Sequence, residues 1–156
     1  MDRAEAAYLA GLLDGEGCLS VRRGRWARPG IEVCMTQRAP LARAQEITGA
    51  GSIYRRRETR ERRRDVWKWC VTRGDELLRI VRAVQPWLTV KTADAHVVAL
   101  FLTLRGAAGG RRPHPVADAH LTRLSSLVKA DDLNPAYQEA LDLAAYLRQA
   151  IEERSR

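Results

Sequence analysis

Glu16 stands between two glycines, Gly15 and Gly17, at the end of the run Leu9-Ala10-Gly11-Leu12-Leu13-Asp14. The run has helical spacing, with Leu9, Leu12 and Leu13 on a core stripe. Asp2 followed by Glu5 is a capping box that opens the helix. Gly15 and Gly17 are expected to release the chain from helical geometry and to leave Glu16 at the C-terminal end. That is an unfavourable place for an acid, because the helix dipole and the unpaired carbonyls repel negative charge. A bound cation removes the conflict, since Glu16 and a neighbouring free carbonyl are both hard oxygen ligands. On these residues alone a solvated acid and a metal ligand both stay open. Ala7, Ala10, Gly11 and Asp14 recur on one helical face, where small side chains let another backbone approach closely.

The nonapeptide closely resembles the signature of the LAGLIDADG homing endonucleases, in the variant Leu-Ala-Gly-Leu-Ile-Asp-Gly-Glu-Gly, with Leu13 in place of Ile. The flanks Tyr8 and Cys18-Leu19-Ser20-Val21 fit a helix before it and a strand after it. Two later segments extend the resemblance. Met35-Thr36-Gln37-Arg38 is similar to the family's Thr-Gln-Lys segment, and Val84-Gln85-Pro86-Trp87-Leu88-Thr89-Val90-Lys91 to its Gln-Pro-Phe-Leu segment with a trailing lysine. The resemblance implies a divalent metal held by Glu16 and the Gly15 carbonyl: Mg²⁺, with Mn²⁺ or Ca²⁺ possible at the same site. It further implies that Gln37 orders water near a scissile phosphate and that Lys91 is a basic residue beside it. One departure stands out. The family often has further basic residues soon after the glutamine, whereas Pro40, Leu41 and Ala42 fill much of that stretch here, leaving Arg38 and Arg43 as substitutes.

The charge points to the same kind of partner. The 156 residues carry a net charge of +8, which favours a polyanion. Seven of the ten residues from Arg55 to Arg64 are arginine. They lie between Ile53-Tyr54 and Val66-Trp67-Lys68-Trp69-Cys70-Val71-Thr72, which read as strands. A two-stranded ribbon with arginines at its tip fits the major groove. The hydrophobic content of 46% fills the core of one domain. No signal peptide is expected, no apolar run is long enough to span a membrane, and Cys18, Cys34 and Cys70 lack zinc or disulfide spacing. A cytoplasmic or organellar protein, not a secreted one, is expected.

Those residues need elements to position them. After Gly17 the chain alternates, with Leu19 and Val21 facing one way and Cys18, Ser20 and Arg22 the other. Gly24 to Gly30 reads as a hairpin connection. The return strand places Ile31, Val33 and Met35 inward and Arg28, Glu32, Cys34 and Thr36 outward. Pro40 opens a short helix ending near Gly49-Ala50-Gly51. In the second hairpin Ser52, Tyr54 and Arg56 face outward, as do Lys68 and Cys70 on its return strand. Trp67, Trp69 and Val71 form a core row. Helices are expected from Asp75 to Gln85, stopped by Pro86, and from Thr92 or Asp94 to Arg105. Two more follow, approximately Val116 to Lys129 and Pro135 to Arg154.

The expected fold is therefore α+β, an αββαββα core over 1–105 with a helical extension of the same domain over 106–156. A curved antiparallel sheet would offer a saddle to double-stranded DNA, read by the outward residues named above together with Arg38, Arg60 and Arg62. One Glu16 cannot hold a metal that demands six oxygens, and the chain has one signature copy. Two chains are expected to meet along Ala7, Ala10, Gly11 and Asp14, and so to cut a pseudo-palindromic site. A cleavage-deficient DNA-binding regulator and an RNA-binding maturase are the alternatives, and only the maturase brings an RNA partner.

Overall fold

A computed structural model describes residues 1–22, 28–56, 65–107 and 115–129, together with Ala136, Gln138, Glu139, Asp142 and Tyr146. Helix α1 runs Arg3–Glu16 and opens on the expected capping box, in which the Glu5 N–H donates to Asp2 and the Asp2 N–H to Glu5. Strands β1 (Gly17–Arg22) and β2 (Arg28–Met35) form the first hairpin. Helix α2 (Ala39–Thr48) has Pro40 in its first turn and ends on Gly49 at φ 62°, the left-handed cap that glycine adopts without strain. Strands β3 (Ser52–Arg56) and β4 (Val66–Val71) make the second hairpin. Helix α3 (Gly74–Val84) continues into a single 3-10 turn, Gln85–Trp87. Pro86 thus lies inside that tighter turn, two residues past the end of the α-helix. Helices α4 (Thr92–Ala107) and α5 (Pro115–Lys129) follow. Most of the helix expected over Pro135 to Arg154 lies outside the described residues.

The four strands form one antiparallel sheet in the order β1-β2-β4-β3. Its register settles which side chains share a face, because directly paired residues point the same way. Leu19 pairs with Ile31 and Ile31 with Val71, while Val33 pairs with Trp69. All five are buried, and they pack with Leu9 and Leu13 of α1, Ile80 and Val84 of α3, and Val98 and Phe101 of α4. The buried Trp69 indole donates to the Ala50 carbonyl at 3.0 Å, which satisfies its one polar atom. The opposite rows carry Cys18, Glu32, Cys70 and Ser52, then Cys34, Lys68 and Tyr54. The outward facing read from alternation is the observed one. Edge strand β1 is not left open, because the Val21 N–H donates to the Ser125 hydroxyl of α5 at 3.2 Å.

Candidate active site and nucleic-acid face

Glu16 is the last residue of α1 and is exposed. Gly15, expected to break the helix, is still helical, and the release comes at Gly17 alone. Gly17 has φ −82° and ψ 159°, extended backbone open to any residue, so its requirement is steric. A Cβ there would sit 2.7 Å from both Cα and the carbonyl oxygen of Leu13. The chain turns back so tightly against the last helical turn that only glycine fits, and this turn places Glu16 at the mouth of the sheet.

Lys91 reaches the same helix end from 77 residues away in the chain, its Nζ donating to the Asp14 carbonyl oxygen at 2.5 Å. The Asp14 carboxylate accepts the backbone N–H groups of Thr89 (2.7 Å), Val90 (3.2 Å) and Lys91 (3.0 Å). Burial pushes the Asp14 carboxyl up, but these three donations outweigh it and hold the group below its ordinary value. Asp14 therefore clamps the 89–91 segment and seats the Lys91 ammonium against the negative end of the helix. That ammonium relieves part of the electrostatic conflict at Glu16 before any metal is considered.

Gln37 lies two residues beyond β2 and is exposed. Gly17 pairs with Val33, so the chain from Cys34 to Gln37 runs past the helix end where Glu16 stands. Lys91 thus sits at the helix end that carries Glu16, and Gln37 follows the strand paired with the chain leaving that end. The two substitute bases part company. Arg38 lies 5.5 Å over the Trp67 ring beside Gln37, whereas Arg43 is taken up by Glu46 (2.9 Å) and Glu5 (3.9 Å).

On the outward face, Arg28, Cys34, Tyr54 and Arg56 are exposed, as is Arg22, and Thr36 lies exposed just past β2. Ser52 is exposed, Cys18 and Cys70 are half-buried, and none of the three cysteines is in a disulfide. Ser20 is outward by register yet only 7% exposed, which leaves it little surface to offer a base. Arg60 and Arg62 lie outside the described residues. Glu32 is occupied: its Oε2 takes Lys68 at 2.6 Å and also binds Arg22. Among the described residues no three His, Cys, Asp or Glu side chains gather into a metal cluster, and no helix is long and apolar enough to cross a membrane.

Two of the four small residues expected on the open face of α1 have other duties. Ala10 is fully buried in this chain's own core, and Asp14 clamps the 89–91 segment. The exposed stripe is instead Ala4, Tyr8, Gly11 and Gly15, with Ala7 half-buried beside it.

No protein-family model matches the sequence, and neither does any curated protein. Solved structures do. The homing endonuclease I-CvuI, in complex with its target in the presence of Ca, aligns over 80% of this chain and 82% of its own, at 24% identity and a TM-score of 0.66. The LAGLIDADG meganuclease I-AabMI, bound to uncleaved DNA, aligns over 80% of this chain and 48% of its own, at 20% identity and a TM-score of 0.61. The group I intron-encoded homing endonuclease I-CeuI, complexed with DNA, aligns over 78% of this chain and 63% of its own, at 14% identity and a TM-score of 0.57.

The fold is that of the LAGLIDADG homing endonucleases. The run that resembles the family signature lies at the end of α1, whose last residue is the exposed Glu16. Sequence reasoning missed the Asp14 clamp and the occupation of Glu32. The signal for both was distant in the chain, in the partners rather than in the residues themselves.

Proposed function

We propose that this chain is a single-motif LAGLIDADG homing endonuclease, which as a homodimer binds a long pseudo-palindromic duplex site and cuts both strands by metal-dependent hydrolysis. The observation that carries the reading is an exposed Glu16 at the end of the signature helix with the Lys91 ammonium seated two residues before it. A pure DNA-binding module has no use for a carboxylate held out where phosphate would pass, because carboxylate and phosphate repel.

The donor set suits a hard divalent cation: the Glu16 carboxylate and the Gly15 carbonyl are both oxygen ligands, and Glu16 is exposed at the helix end. Mg²⁺ bound there supplies Lewis acidity toward the phosphate and a more acidic water. The protein does the rest. Lys91 has used one of its three donors on Asp14, and the other two place positive charge where negative charge develops on the phosphoryl oxygens. Gln37 can hold a water by accepting one hydrogen bond and donating another, which orients it for attack. Arg38, steadied on Trp67, adds a second cation on the same side.

A second copy completes the carboxylate set. Tyr8, Gly11 and Gly15 are exposed on α1, and Trp87 and Val90 are exposed apolar side chains of the later chain. Two such helices crossing on a two-fold axis bring two Glu16 carboxylates together. The test is selection of cleaved sites from a randomised palindromic duplex library in Mg²⁺, with an EDTA control. Enriched palindromic sites cut with short 3′ overhangs, and no cutting in EDTA, are the expected result. Tight site-selective binding without cutting in any divalent metal would reduce the protein to a DNA-binding regulator.

A further inference from the structure

The outward face of the sheet carries a charge network that crosses all four strands. Arg22 on β1 and Lys68 on β4 both bind the Glu32 carboxylate on the strand between them. Lys68 in turn lies 6.0 Å from the centre of the Tyr54 ring on β3, and the Tyr54 hydroxyl lies 3.6 Å from the Cys70 thiol. Glu32 pairs across the sheet with Cys18, four residues from Arg22 along β1, so the arginine must run back along its own strand past Ser20 to reach it. Glu32 and Lys68 keep only 19% and 17% of their side-chain surface, whereas Arg22 keeps 53%. Burial alone would raise the Glu32 carboxyl, but its two cations hold it below its ordinary value, so it is ionised at neutral pH.

An acid at the centre of a surface built to meet a polyanion works against affinity. A carboxylate that already holds two cations on Oε2 is also poorly placed to accept from a base amine. What it does is restrict its partners. A long, unrestrained lysine or arginine reaches whichever phosphate is nearest and binds every sequence alike. Tied to Glu32, the same side chains have few conformations, and their remaining donors point at a fixed place in the groove. A base without an acceptor there leaves those donors unpaired.

We propose that Glu32 is a specificity-determining positioning residue, which holds Arg22 and Lys68 away from phosphates and aims their remaining donors at the bases of each half-site. This rests on the DNA-binding reading above. The test uses the full chain, a duplex selected by the wild type and a scrambled duplex of equal length, with binding measured across a salt series.

Glu32→Gln keeps the shape and removes the charge. The variant is expected to bind scrambled DNA roughly tenfold tighter at low salt, with a salt slope steeper by about one unit, while its affinity for the selected duplex changes by less than about threefold. The ratio of selected to scrambled binding therefore falls roughly tenfold. In a Lys68→Met background the same change should yield about half that gain, because one of the two tethered cations is gone. Should Glu32→Gln melt before binding can be read, Glu32→Asp carries the same expectation, being one methylene too short to span both cations.

Loss of preference at a single base pair with no gain on scrambled DNA would make Glu32 a base reader and overturn the proposal. An unchanged binding ratio and salt slope with only a lower melting temperature would make it structural, and would overturn it equally. A wild type that binds no duplex overturns the parent reading instead, and that result is visible before any variant is made.

Discussion

Glu16 and Asp14 sit two residues apart at one helix end and put their charge to opposite uses. Asp14 spends it inside the chain, on three backbone donors, while Glu16 holds its carboxylate exposed. Replacing Glu16 by Gln keeps shape and polarity but removes the charge a metal requires. Glu16→Gln is expected to abolish cleavage while site binding stays within roughly tenfold, because phosphate contacts dominate affinity. Full cutting by the variant in Mg²⁺ would end the metal-ligand assignment. Asp14 makes a different prediction. A carboxyl held below its unfolded pKa stabilises the fold fully above that value and loses the contribution as pH falls through the folded one. For Asp14 this window lies below the ordinary 3.8, so no change is expected between neutral and mildly acid pH. Asp14→Asn should cost about 1–3 kcal/mol at neutral pH, the worth of weakened hydrogen bonds to a charged acceptor. The cost should shrink as pH falls below about 4, where the wild type loses the same charge. A denaturant titration of both proteins at several pH values checks this, and a pH-independent difference would contradict the charge argument. Glu16 was legible in the sequence because its whole context is local. The clamp was not, since the donors arrive from 75 to 77 residues further on.

Alternation carried the reading of the sheet because its central strands β2 and β4 bury one face and a period of two cannot slip without exposing the core. Leu19, Ile31, Val33, Trp69 and Val71 are buried as their parity requires, and Cys18, Glu32, Cys34, Lys68 and Tyr54 take the other side. Parity says nothing about how far a side chain is covered, so it missed the burial of Ser20 and the double pairing of Glu32. Nor did local pattern separate the glycines of the signature. Gly15 and Gly17 look equivalent in sequence, yet one is helical and open while the other abuts the helix backbone. The join between α1 and β1 therefore depends on Gly17. Gly17→Ala should destabilise the fold by about 1–3 kcal/mol, as overpacking against fixed backbone does. It should also lower cleavage, because relieving the contact moves the residue next to Glu16. Gly15→Ala meets no atom within 4 Å and gains helix propensity, so it should leave the folding stability of the isolated chain equal or higher. Thermal melts of the two variants decide the point, and equal destabilisation by both would contradict the assigned geometry.

At the scale of the whole molecule, glycines in the body of α1 are a cost without a return inside this chain. A mid-helix glycine destabilises by roughly 0.5–1 kcal/mol relative to alanine. A Cβ at Gly11 or Gly15 would meet nothing within 4 Å, so no contact within the described chain requires the missing side chains. The face they open is continuous with exposed Tyr8 and Ala4 and lies on the helix whose end carries Glu16. A second helix crossing there makes sense of both glycines at once, because close approach of two backbones is what a Cβ prevents. Under the proposed metal role the same arrangement would add a second Glu16, since an octahedral cation needs more oxygens than one Glu provides. Gly11→Val then separates folding from assembly. Gly11 is exposed and a Cβ there meets nothing within 4 Å, so the monomer should melt no lower than wild type once concentration effects are removed. Across the helix crossing the branched side chain should hold the partners apart, giving monomers by light scattering and loss of double-strand cleavage, with half-site binding retained through the sheet. A wild type that is monomeric both free and on duplex DNA would sink the two-fold site. A dimeric Gly11→Val protein would move the interface elsewhere and leave the two glycines of α1 without a physical reason.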